Sequence, residues 1–92
     1  MLGLTQHAEA RMQQRGISNT TLESLLDYGR MTYDHRGGAL VFFDKKAKSR
    51  LLQDVGRAQY RVMEKQLNAY AVVAHDGSVV TVGHRRKRIP RR

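Results

Sequence analysis

Four residues of this 92-residue chain carry side chains that can move a proton or hold an anion: His7, Arg11 and Arg15 near its start and His84 near its end. The first three recur at every fourth position. On a helix, that spacing sets them along one side. With His7 as origin and ~100° per residue, Arg11 falls at about 40° and Arg15 at about 80°, while Leu4, Ala8 and Met12 fall at about 60°, 100° and 140°. Arg15 therefore projects from the edge of the apolar stripe that faces the core. A guanidinium placed there needs an acceptor, either a protein carboxylate (Asp27 or Glu23) or the anion of a ligand. Its position in the last helical turn also suits a cation without any ligand, because the helix dipole favours one. His84 closes a strand-like run, on the face expected to carry Val80 and Val82, directly before a cluster of basic residues. A histidine there can act as a general acid or base, or can serve structure alone. His35, at a hairpin, and His75, beside a turn, read as surface residues.

The charge names a partner class. The formal net charge is +9, and the tail Arg85-Arg86-Lys87-Arg88-Ile89-Pro90-Arg91-Arg92 holds six of the 17 basic residues. Taking those six from +9 leaves +3 on the remainder. Lys45, Lys46, Lys48 and Arg50 form a second basic group in mid-chain. Nucleic acid is the partner such a balance favours. The alternatives are a solvated tail, an acidic protein or a membrane surface. Tyr33, Phe42, Phe43, Tyr60 and Tyr70 are aromatic enough to stack bases, with core packing as the default role for each.

Other chemistries lack their signatures. Cysteine is absent, which fits a reducing cytoplasm. The four histidines show no metal-ligand spacing, so no metal or other cofactor is expected. No glycine-rich phosphate loop leads from a strand into a helix, and no Gly-x-Ser-x-Gly occurs. No apolar stretch approaches the ~20 residues of a membrane span. The opening Met1–His7 lacks a basic region followed by an apolar core, so no signal peptide is expected.

The elements that must position these residues follow from caps and glycines. Residues 5–15 read as a first helix between a Thr5 N-cap and Gly16. Ser18 caps a second helix through about Tyr28, with Ile17 and Leu22 as a hydrophobic staple, Leu22, Leu25 and Leu26 inward, and Gly29 at its end. Residues 30–35 and 39–43 read as strands joined at Gly37-Gly38. Asp44 caps a third helix over about 45–55, with Ala47, Leu51, Leu52 and Val55 inward. Gly56 interrupts it, and 57–66 read as a fourth short helix. Residues 69–74 and 78–84 alternate as strands around an Asp76-Gly77 turn. The expected fold class is α+β: two N-terminal helices, then an antiparallel sheet of about four strands in two hairpins with one or two intervening helices. The helices should cover one face. Residues 1–84 are expected to form a single domain and 85–92 a basic tail.

The segment Thr5-x-His7-Ala8-x-x-Arg11-Met12-x-x-Arg15-Gly16-Ile17-Ser18 resembles the opening motif of a family of small bacterial and phage-borne proteins of unknown function. Gly29, the aromatic-rich run Leu40 to Phe43 and the terminal hairpin Asp76 to Val82 extend the resemblance over nearly the whole chain. It implies a fold similar to the RelE/ParE-like toxins and the wider barnase–EndoU–colicin–RelE group. That group includes metal-independent endoribonucleases, often paired with an acidic antitoxin, and also ParE-type members that do not cut RNA. By the motif, the resemblance carries over to His7, Arg11, Arg15 and His84.

Two functions are therefore expected to compete, with a toxin-like scaffold that acts on a protein target as a third possibility. One is a metal-independent endoribonuclease, in which His84 and His7 share general acid and base duty and Arg15 and Arg11 neutralise the phosphate. Lys45, Lys46, Lys48, Arg50, Arg85, Arg86, Lys87 and Arg88 would then track the RNA backbone. The other is a non-catalytic module that binds nucleic acid, or an acidic antitoxin-like protein, through the same cations.

Overall fold

A computed structural model of the protein describes residues 3–33 and 37–85. The element order is α1 (Gln6–Arg15), α2 (Asn19–Tyr28), β1 (Arg30–Tyr33), β2 (Ala39–Phe42), α3 (Lys45–Met63), a 3-10 turn (Glu64–Gln66), β3 (Ala69–Val73) and β4 (Val79–His84). The four strands form one antiparallel sheet in the order β1-β2-β3-β4. This is the α+β arrangement expected, with the helix–sheet architecture of RelE/ParE-like proteins.

Side-chain caps set each helix start. Thr5 accepts from the Ala8 N–H at 3.1 Å, Ser18 from Thr21 at 3.1 Å and Asp44 from Ala47 at 2.8 Å. Each oxygen satisfies one backbone donor that the first turn leaves over. Ile17 and Leu22 are both buried, as the staple requires. At Gly56 the backbone leaves the helical region (φ 82°, ψ 166°), so α3 is two helical pieces joined at a kink, and the second takes up most of the expected fourth helix. Gly29 ends α2, as expected. Its φ is −63°, and what it provides is space. A Cβ there would meet the Leu25 carbonyl oxygen and lie 2.8 Å from Val41 Cγ1.

The core lies on one face of the sheet. Ala8, Met12, Leu22, Leu25, Ala47 and Leu51 from the helices pack on Val41, Ala69, Ala71, Val73, Val79 and Val82 from the strands. Strand alternation sends Phe42, Tyr70, Val72 and Thr81 to the other face, and none of these belongs to the core cluster. A register shift corrects one expectation. Val73 pairs with Val79 but Val72 with Thr81, so Val80 is an extra, bulged residue. His84 therefore shares its face with Val82 and Val79, not with Val80, because a bulge reverses the alternation.

Candidate functional site

The site begins with the way α1 is fixed beside β4. Val79 N–H donates to the Gly3 carbonyl at 2.8 Å, and Thr5 N–H donates to the Val79 carbonyl at 3.1 Å. This leaves Leu4 in a parallel bridge with Val79. The Thr5 hydroxyl also donates to the carbonyl of Val80 at 3.3 Å, so one side chain both caps the helix and satisfies the bulge. From there α1 runs along β4 in the same direction. Ala8, with no exposed surface, is small enough for the close approach.

The far end of the pair is built as carefully. Gly16 takes a left-handed conformation (φ 66°). Its N–H donates to the Gln13 carbonyl at 3.4 Å, and Ile17 N–H donates to Met12 at 2.9 Å, the Schellman arrangement of a helix end. Arg15 is then left with a carbonyl that no helical N–H reaches. His84 Nε2 lies 2.7 Å from that oxygen, and since a carbonyl only accepts, Nε2 must carry a proton and donate. His84 Nδ1 lies 2.6 Å from the Asn68 side-chain oxygen. Nδ1 donates to that oxygen, or accepts from the amide nitrogen when the amide is turned over.

Between helix and strand lies a hollow of about 180 Å³ lined by Arg11, Arg15, Tyr70, Thr81, Val82, Gly83 and His84. The structure thus brings together three of the four expected residues. Arg15 is exposed and Arg11 half-buried. Among the described residues neither guanidinium pairs with a carboxylate, so Glu23 and Asp27 are not the acceptors for Arg15. His7 stands one turn before Arg11, about 6 Å along the axis. It is exposed and outside the lining. Two larger grooves, of about 490 Å³ along the second half of α3 and about 450 Å³ between α1 and α2, hold no histidine among the described residues, and each includes a glutamate.

The other cations lie elsewhere. Lys45, Lys46 and Arg50 are exposed on α3, with Lys48 half-buried. Because β2 and β4 are both antiparallel to β3, the start of α3 and the end of β4 share one end of the sheet. Arg85 links them. Its Nη2 donates to the Phe43 carbonyl at 2.9 Å, and its guanidinium carbon stands 5.3 Å from the centre of the Phe42 ring. Among the described residues its buried Nε has no partner. Burial pulls its pKa below the usual arginine range, and the charge of Asp44 opposes that shift. Arg86, Lys87 and Arg88 lie outside the described residues.

Asn68, Thr81 and Gly83 carry no signal singled out in the sequence, and Tyr70 is one of five aromatics suited to stacking with core packing as the default. The available signal was Gly83 itself, since a glycine inside a strand marks a close approach. Among the described residues no group of three His, Cys, Asp or Glu side chains could hold a metal ion, and no helix is long and apolar enough to cross a membrane.

Residues 4–84 match the family model described as "Domain of unknown function (DUF4258)". No curated protein and no solved structure matches the chain. The matched span opens on the Leu4 bridge and closes on His84, so it encloses the helix–strand pairing that forms the hollow, and the chain belongs to the DUF4258 family.

Proposed function

We propose that this protein binds nucleic acid, RNA first, by seating a backbone phosphate in the hollow between α1 and β4. One observation carries the reading. Two guanidiniums that have no carboxylate partner among the described residues share a hollow with His84 in a chain of net charge +9. A planar guanidinium matches phosphate geometry and can bond it in two places. Lys45, Lys46 and Arg50, and the tail beyond Arg85, extend the attraction along the polymer. An acidic antitoxin-like protein would compete for the same cations. With RNA as its ligand, the proposed place of work is the cytoplasm.

A second reading is metal-independent RNA cleavage. It is favoured by His84 and both arginines lining one hollow. The RNA 2′-OH would attack the adjacent phosphorus and expel the 5′-oxygen, with one group accepting the hydroxyl proton and another supplying one to the leaving oxygen. For His84 to take part it must give up the Arg15 carbonyl or Asn68, and His7 stands outside the lining. Binding therefore accounts for more of the geometry.

The test is binding of labelled RNA across a salt series, with product analysis in EDTA. Arg11→Ala and Arg15→Ala should each weaken binding and reduce the slope of log K against log salt by about one. Unchanged slopes in both variants would remove the hollow from the interface. Metal-free cleavage lost in folded His84→Ala would move the conclusion to the second reading.

A further inference from the structure

Tyr70 and Gly83 face each other across β3 and β4, on the side of the sheet away from the core. A Cβ built on Gly83 would stand 2.9 Å from the Tyr70 hydroxyl oxygen and 3.0 Å from two of its ring carbons. The ring therefore lies across the Gly83 backbone. Gly83 has no positive φ, so glycine is needed here for room, not for conformation. Phe42 is the next aromatic in that row of the sheet, but it is only 3% exposed, with the Arg85 guanidinium over it. Tyr70 stays half-exposed and lines the hollow beside Arg11 and Arg15. Among the described residues its hydroxyl has no hydrogen-bond partner.

We infer that Tyr70, held flat by Gly83, is a stacking platform for the nucleobase next to the bound phosphate, and that the ligand is single-stranded. This rests on the phosphate reading of the hollow. The bases of a duplex are paired and stacked on one another, and none can reach a ring set into a hollow of about 180 Å³. An unpaired nucleotide can turn its base onto the ring while its phosphate meets the arginines. Stacking accepts any base, so the site selects strand state ahead of sequence. Gly83 is the positioning residue, because any side chain there must displace the ring.

The experiment compares three ligands at one salt concentration: a single-stranded RNA of about ten nucleotides, a duplex of the same sequence, and an abasic ribose-phosphate chain of equal length. The wild-type protein should hold the single strand at least about ten-fold tighter than the other two, the scale of one base–aromatic stack. Tyr70→Phe should keep that preference. Tyr70→Leu and Gly83→Ala should each reduce it to within about two-fold. Equal affinity of the wild-type protein for all three ligands would overturn the platform and leave the phosphate reading standing. No salt-dependent binding of any ligand would overturn both. Because the ligand comparison uses unaltered protein, a variant that misfolds cannot rescue the idea.

Discussion

Removing the Thr5 hydroxyl tests how α1 is held to β4. In Thr5→Val the shape is kept, but Ala8 N–H loses its acceptor and the Val80 carbonyl loses its donor. Loss of an N-cap oxygen costs about 1 kcal/mol. The half-buried carbonyl, released from a 3.3 Å bond, adds up to about 1 kcal/mol. A total near 2 kcal/mol should lower the melting temperature by about 10 °C for a domain of this size. The chain has no tryptophan, so far-ultraviolet circular dichroism is the natural signal. Thr5→Ser keeps the oxygen and should melt within about 3 °C of wild type. If the valine variant melts with wild type, or if serine is as damaging as valine, the hydroxyl is not the link described here.

Three further outcomes follow from local geometry. Gly29→Ala should destabilise by more than about 2 kcal/mol in urea denaturation, since its methyl group meets the Leu25 carbonyl and Val41, a cost of overpacking. Gly16→Ala has open space around the new Cβ, so only the left-handed backbone is penalised, and a loss of about 1 kcal/mol is expected. Tyr28 donates to Asp54 at 2.5 Å. That bond first, then partial desolvation and the carboxylate charge, raises the phenol pKa. A raised folded pKa stabilises the protonated form. The contribution is fully present below the unfolded value near 10 and is lost as pH rises through the folded value. Ring-carbon NMR titration should show Tyr28 ionising at higher pH in wild type than in Asp54→Asn.

What could be read from the sequence was local. Thr5, Ser18 and Asp44 declare helix starts because a short polar side chain reaches a nearby backbone donor with no help from distant residues. Gly16 declares an end for a similar reason. The spacing of Arg11 and Arg15 gave their shared side of α1. What could not be read depends on register. Nothing in the valine-rich run of β4 marks Val80 as bulged, and that one residue decides which face His84 takes. The Tyr70–Gly83 contact, the His84 bond to Arg15 and the Arg85 bond to Phe43 join residues that meet only once strand order and offset are set. Gly29 shows a further gap, because a glycine needed for room and one needed for backbone freedom look alike in a sequence.

The links between α1 and β4 also bear on the order of assembly. Thr5 and Val80 are 75 positions apart, and Arg15 and His84 are 69 apart, so these contacts close almost the whole chain into a loop. Such closure carries a large entropic penalty until intervening structure shortens the path. Hairpins and neighbouring helices can form earlier, because their partners are near in sequence. The helix–strand seam should then form late, after the transition state. Weakening it, as in Thr5→Val, should speed unfolding while leaving the refolding rate nearly unchanged. Stopped-flow refolding that slows in proportion to the lost stability would show instead that the seam belongs to the folding nucleus.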